Sequence, residues 1–347
     1  MVTIKDIAKK VGVSIGTVSM VLNKKKNSFI SKKTREKILK AVAELNYIPN
    51  RIAKDLARGS TTILGVIIDD VKSQFFQEII PGIENVASQN GYEVVVLYSI
   101  NNCEKERKNI QALLERKVDG FIISPVKNNK NLSVFTALSQ QKIPFVFIDR
   151  YLPEIDANFV VSNLKEGAFN VVSYLIQLGH IHIAHLTEKS IISTKKDVLE
   201  GYKTAFVKNG LKINEELIEE VDPEDISNDF DAGYIGMKKL LEKGKKFTAV
   251  FCIGDAYAIG AMKLLKEKNI KIPKDVSIVG MDNLTISSYV IPPLTSVAQD
   301  KFKMGKLACK ILLEEIKNPI SKKKQIFLKT NLILRSSLMK INHKHKD

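Results

Sequence analysis

Cysteine is scarce: Cys103, Cys252 and Cys309 are the only three in 347 residues. Their number is odd and no two share a C-x-x-C spacing, which excludes a disulfide framework and a zinc cluster as organising devices. A reducing compartment is the simpler expectation. No stretch approaches eighteen consecutive apolar residues, and Met1 to Lys10 contains no apolar signal-like run. The chain is therefore expected to have no membrane span and to work in the cytoplasm. It also lacks a G-x-G-x-x-G, a P-loop, a G-x-S-x-G and any paired nucleophile and base, which leaves an enzymatic reading without residues to carry it. Neither a cofactor nor a metal is expected.

Acidic residues are sparse at one end. From Met1 to Ser60 fourteen Lys or Arg stand against four Asp or Glu, so ten of the sixteen net positive charges lie in the first sixty residues. A small basic unit on a nearly balanced body suggests a module that neutralises phosphates and releases counterions, although a solvated basic surface has the same composition. The length calls for two or three folding units.

Thr3-Ile4-Lys5-Asp6 has the form of a capping box, with Asp in place of Glu, and opens an amphipathic run through Ile4, Ile7 and Ala8 that stops near Gly12. Ser14 caps a second helix with Val18, Val21 and Leu22 at helical spacing. Ser31 caps a third, in which Ile38, Val42 and Leu45 form the inner stripe while Lys32, Lys33, Arg35 and Lys37 stay outside. Two short helices about a tight Gly-containing turn, braced by a third, predict a helix-turn-helix.

Thr3-Ile-Lys-Asp-Ile-Ala, Val11-Gly-Val-Ser, Thr17-Val-Ser, Lys33-Thr-Arg-Glu-Lys and Leu45-Asn-Tyr-Ile-Pro-Asn-Arg, in that order and spacing, resemble the head of the lactose-repressor/galactose-repressor (LacI/GalR) family. The resemblance implies a DNA-binding repressor whose second helix lies in the major groove and whose homodimer reads a pseudo-palindromic double-stranded operator. The residues matched to DNA contacts are Thr3, Ser14, Ile15, Gly16, Thr17, Ser19, Met20, Asn23, Thr34 and Tyr47, followed by Asn50, Ala53, Lys54 and Leu56. Many members have Arg where this chain has Met20, and the loss of a bidentate Arg–guanine contact removes about 1–3 kcal/mol of discrimination. With Ile15 and Gly16 also lacking polar side chains, the expected readout is thymine methyls and shape. Lys24-Lys25-Lys26 reads as a solvated turn near phosphates.

Pro49 ends the third helix, and Asn50 to Gly59 can form one short helix, marginal on its own. The resemblance makes it a hinge helix with Leu56 as a minor-groove wedge and Ala53 at the close approach. A plain linker has the same periodicity.

From Thr61 onward, short β-rich runs alternate with helical stretches, as in βαβ units. Strands are expected at Ile63–Ile68, Tyr92–Leu97, Gly120–Ser124, Phe145–Asp149, Ile181–Leu186, Thr248–Ile253 and Val276–Gly280, with helices at Glu104–Arg116, Lys165–Leu178 and Ala256–Lys268. A TIM barrel alternates in the same way. The body resembles the two-lobed, Rossmann-like periplasmic-binding-protein type I fold of the same family, almost to Arg335, which makes the whole an α/β protein behind a three-helix head. The implied divisions are a head at 1–48, a hinge at 49–60, a body at 61–336 and a basic tail at 337–347. Within the body, 61–160 and 291–322 form the first lobe, and 161–290 and 323–336 the second. Pro81 should kink the first helix of the body.

Ligands of such folds bind at strand ends in the cleft between lobes. The candidates are Asp69, Phe75, Phe76, Ser124, Asp149, Arg150, Asp255, Asp282 and Gln299, with Asp149 and Asp282 matching positions that hold sugar hydroxyls. Each Asp can instead cap the helix that follows it, the favoured reading for Asp255. A sugar-like effector is expected, with a nucleoside or a protein co-regulator as alternatives. Three departures stand against the sugar reading: Val198 replaces an Arg ahead of Gly201-Tyr202, Gly254 stands where many members have Asn, and the loop from Val221 to Asp231 is longer and more acidic than the Gly-Asp-aromatic turn usual in the family. A transporter's solute-binding protein shares the body but not the head. His180, His182 and His185 invite a metal, but strand alternation separates His182 from His185. The tail lacks Leu heptads, so a dimer is expected rather than a tetramer.

Overall fold

The computed structural model describes residues 2–23, 30–47, 60–126, 130–189, 192–222, 228–319 and 322–341. The chain separates into two compact units, Met1–Thr61 and Thr62–Asp347.

The first unit holds helices α1 (Ile4–Val11), α2 (Ile15–Leu22) and α3 (Lys32–Glu44). Each start follows from local chemistry. The Asp6 carboxylate accepts the Thr3 backbone N–H at 2.8 Å and the Thr3 hydroxyl at 2.7 Å, and these bonds hold it below the usual carboxylate range. Ser14 accepts from the Thr17 N–H at 3.1 Å and Ser31 from the Thr34 N–H at 3.2 Å, each satisfying an otherwise orphaned donor. Gly12, at φ 73°, turns α1 into α2. Ile7, Ala8, Val18, Val21, Ile38 and Ala41 close a small core, with Ile4, Val13, Val42, Leu45 and Tyr47 half-buried around it.

The second unit contains two six-stranded sheets. Elements in the first half are β1 (Ile63–Ile68), α4 (Gln74–Gln89), β2 (Glu93–Tyr98), α5 (Cys103–Glu115), β3 (Gly120–Ile123), α6 (Leu132–Gln140), β4 (Phe145–Ile148), β5 (Asn158–Ser162) and α7 (Leu164–Gln177). There follow β6 (Ile183–Glu188), α8 (Ser193–Lys208), β7 (Ile218–Val221), α9 (Asp229–Glu242), β8 (Ala249–Cys252), α10 (Asp255–Glu267), β9 (Ser277–Asp282), β10 (Thr295–Ala298), α11 (Lys301–Lys317), β11 (Gln325–Leu328) and β12 (Asn331–Ile333). The sheets run in the orders β11-β5-β4-β3-β1-β2 and β12-β10-β9-β8-β6-β7. Every pairing is parallel except β10 with β12. Two open sheets rule out the closed TIM barrel that alternation alone permitted.

The crossings between sheets correct the expected lobe boundaries. β5 continues in the first sheet to Ser162, past the division at 160/161, because β4 and β11 flank it. β10 belongs to the second sheet through its ladder with β9, so the return to the first lobe lies between Ala298 and Lys301 rather than at 290/291. β11 pairs with β5, which moves the last crossing from 322/323 to the segment between Leu328 and Asn331. Residues placed in a basic tail are also anchored up to Ile341: Ser337 exchanges hydrogen bonds with Ile278, and the Ile341 N–H donates to the Leu178 carbonyl at 2.7 Å. Helix α4 runs unbroken through Pro81, whose side lies exposed.

Candidate functional site

In the first unit, the Ser14 cap holds the start of α2, where Ser14, Ile15 and Gly16 are exposed. Ile15 is 44 % exposed and Met20 37 % exposed, although both are apolar, because Val18 and Val21 already fill the inner face of the helix. The Thr17 and Ser14 hydroxyls lie 2.9 Å apart, and the Asn23 amide donates to Ser19 Oγ at 3.2 Å, so the polar side chains of this face are mutually ordered. Thr3 is exposed and Thr34 half-buried. Tyr47 packs against the core of the unit, a part that the sequence reading did not assign to it. Asn50, Ala53, Lys54 and Leu56 lie outside the described residues, as do Lys24, Lys25 and Lys26.

In the second unit the strand ends of both sheets converge. Asp149, at φ 65°, follows β4, and Asp282, at φ 104°, ends β9. Left-handed backbone at a non-glycine residue is strained, and such residues gather at ligand clamps. Asp149 Oδ2 accepts from the Arg150 Nε–H at 2.9 Å and from Ser124 Oγ at 3.2 Å. The buried Arg150 guanidinium also donates to the Pro125 carbonyl at 3.2 Å and lies 3.6 Å from Asp69 Oδ2. Burial disfavours this cation, but Asp149, Asp69 and Glu188 outweigh that and keep it charged. Four of the candidates, Asp69, Ser124, Asp149 and Arg150, thus form one network.

Across the gap, Asp282 Oδ1 accepts from Gln299 Nε2 at 2.7 Å. Burial raises the Asp282 carboxyl well above its ordinary range, and repulsion from Asp255 and Asp149 adds to the rise. The other candidates are placed differently. Asp255 is the first residue of α10, with Gly254 as its cap, and its carboxylate accepts from the Leu284 N–H at 2.8 Å, Ser287 Oγ at 2.5 Å and Ser296 Oγ at 2.6 Å. It neither caps the helix nor faces the cleft; it ties three segments of the second lobe together, with its pKa pushed up by burial to about 6. Phe75 and Phe76 are buried in the core of the first lobe, edge to face at 5.4 Å.

The structure adds residues that strand-end reasoning missed. Lys301, buried at the start of α11, donates to the Asp282 carbonyl at 2.7 Å and lies 3.2 Å from Glu78 of α4, so it joins the two lobes. The Tyr151 N–H donates to Ser193 Oγ at 3.2 Å, a second link between lobes. Glu106, buried on α5, accepts from the Val126 N–H at 2.9 Å and Asn131 Nδ2 at 2.7 Å, holding the segment after β3. Glu188 lies buried at the end of β6, and Asp197 lies near Tyr151, its pKa raised to about 6 by burial and by Glu200. The clue for Lys301, its place just after a crossing, was hidden because that crossing was expected at 290/291. Glu106 left none, since a charged residue on an amphipathic helix reads as surface.

His180 bonds to Thr248 Oγ1 and the Met339 carbonyl, His185 is buried between aromatic rings, and His182 is exposed. Among the described residues no three His, Cys, Asp or Glu gather as metal ligands, and no helix is long and apolar enough to cross a membrane.

Residues 3–50 match the model of bacterial regulatory proteins, lacI family, and residues 172–338 that of a periplasmic binding protein-like domain. The chain is 32% identical over 338 residues to the ribose operon repressor of Haemophilus influenzae, covering 97% of this chain and 99% of the relative. It resembles the lac repressor dimer bound to operator and the anti-inducer ONPF with a TM-score of 0.85 at 30% identity, over 97% of this chain and 99% of that one. A transcriptional regulator, CelR, in complex with cellobiose aligns with a TM-score of 0.73 at 26% identity, over 97% of this chain and 100% of the other.

Proposed function

The chain belongs to the lacI family of bacterial regulatory proteins, and from that premise we propose that it is a transcriptional repressor that binds a pseudo-palindromic operator as a homodimer and is controlled by a small polyhydroxylated molecule held between Asp149 and Asp282. The observation that carries the DNA half is the capped start of α2, which exposes Ser14, Ile15, Gly16 and Met20 on a unit rich in Lys and Arg. Side chains at that position reach base edges when the helix enters a major groove. The strained strand-end aspartates carry the ligand half, supported by the cellobiose complex of a relative of the same fold. Cleft and DNA then bias one equilibrium, because a ligand that favours one lobe arrangement shifts the population that binds DNA.

Electrophoretic shift of the full chain on a randomised pseudo-palindromic duplex, followed by selection and sequencing, tests the reading. Retention that weakens steeply with salt is expected. The selected half-sites should show no guanine requirement opposite Met20, since a thioether cannot make the bidentate contact. Absence of salt-sensitive binding sinks the proposal, and a strict guanine at that position sinks its account of readout.

A further inference from the structure

We propose that the second lobe carries a further small-molecule site, at the end of its sheet away from the cleft, and that this site takes a compact aromatic carboxylate with its ring inward and its charge at the mouth.

The position follows from topology. β6, β7, β8 and β9 run parallel, so the cleft residues at their carboxyl ends, such as Glu188 and Asp282, lie at one edge of the sheet and the segments that enter the strands lie at the other. Between the segments entering β6 and β7 there is a cavity of about 310 Å³. That volume stands at the lower end of the ~300–1,000 Å³ typical of small-molecule sites, which leaves room for a single or fused ring.

Burial sorts the lining into an apolar interior and a polar rim. Ile183, Tyr202, Phe206 and Leu217 line the cavity and are buried. The Tyr202 hydroxyl donates to the Ile183 carbonyl at 2.7 Å, so what remains of this side chain for a ligand is its ring. The Tyr202 and Phe206 rings, with centroids 4.9 Å apart and planes inclined at 49°, form a wall on which another ring can pack offset or edge to face. His182, Lys212 and Asn214 line the same cavity and are exposed. A ligand with an apolar body and one polar end has the matching division.

The rim also sets the sign of that polar end. Lys212 has no acidic partner among the described residues, whereas the neighbouring Glu215 and Glu216 are paired with Lys203 and Lys245 at 2.7 and 2.8 Å. The Asn214 side-chain oxygen accepts the Glu216 N–H at 3.1 Å, which leaves its amide N–H groups to offer. An ammonium and amide donors call for an acceptor, and a carboxylate brings two oxygens to them. Lys208 at the end of α8 and Lys246 ahead of β8 add positive charge at the same end of the sheet, which disfavours a cationic ligand.

Thermal shift and calorimetric titration of the full-length protein test the assignment with phenylacetate and 2-naphthoate, each set against its amide and the corresponding amine. At least one carboxylate is expected to bind, with its amide and amine at least about tenfold weaker, as the loss of a charge-assisted hydrogen bond requires. Lys212→Met changes an exposed residue without an ion partner, so the protein should melt as wild type does while affinity falls at least about tenfold. Ile181, which also lines the cavity, is 43 % exposed, so Ile181→Glu should fold normally and abolish binding by setting a second carboxylate against the first. Failure of both carboxylates to bind, an amide or amine that binds as tightly as its parent, or unchanged affinity in either variant overturns the site.

Discussion

Asp197 shows how one residue's surroundings set a measurable property. Burial and Glu200 raise its pKa from 3.8 to about 6, so the folded chain binds a proton more readily than the unfolded one. The stabilisation that follows is fully present below 3.8 and is lost as pH rises through about 6. Asp197→Asn should therefore raise the melting temperature at about pH 7.5, by no more than about 1 kcal/mol once solvent screening is counted, and the gap from wild type should close by about pH 4. Melting curves of both proteins across that range decide the matter, and a gap that stays constant with pH removes Asp197 as the titrating group. At this scale the sequence was a partial guide. The outward Ile15 and Met20 followed from a period of 3.6 and an inner face already filled. The role of Asp255 did not, because Ser287 and Ser296, which occupy it, lie 32 and 41 residues away.

Helices α4 and α11 meet through glycine. A Cβ on Gly82 would lie 2.2 Å from the Phe302 carbonyl oxygen, and one on Gly305 2.2 Å from that of Ile79. Backbone atoms cannot swing aside as a side-chain tip can, so the helices must separate. Gly82→Ala should destabilise the second unit by about 1–3 kcal/mol despite alanine's better helix propensity, read as a lower urea midpoint with an unchanged m-value. An unchanged midpoint means that the two helices do not hold this contact. The elements themselves were largely legible: the expected strand at Ile63–Ile68 matches β1, and the other six expected strands overlap β2, β3, β4, β6, β8 and β9. Those missed, β5, β7, β10, β11 and β12, include the short strands beside the crossings. Four residues such as Thr-Ser-Val-Ala of β10 carry too little periodicity to separate strand from helix or loop.

For the whole molecule, the division after Thr61 implies that residues 62–347 form a folding unit without the head. We expect that fragment to melt cooperatively by circular dichroism, to keep the thermal shift with any probe that stabilises the full chain, and to give no shift of operator DNA; an unfolded fragment refutes the division. The sequence by itself determined what depends on near neighbours: the caps at Thr3, Ser14 and Ser31, the basic head, the alternation of strand and helix, and the strings that place the chain in its family. Those features are short-ranged, set by hydrogen bonds three residues apart and by the period of one helix or strand. The tertiary structure alone decided which strand enters which sheet and which carboxylates are taken up by protein donors. β11 joins the first sheet because Gln325 pairs with Phe159, and Asp282 differs from Asp255 because Gln299 satisfies only one of its oxygens. Such partners are brought together by ladders and packing between distant segments, and no local window of residues records them.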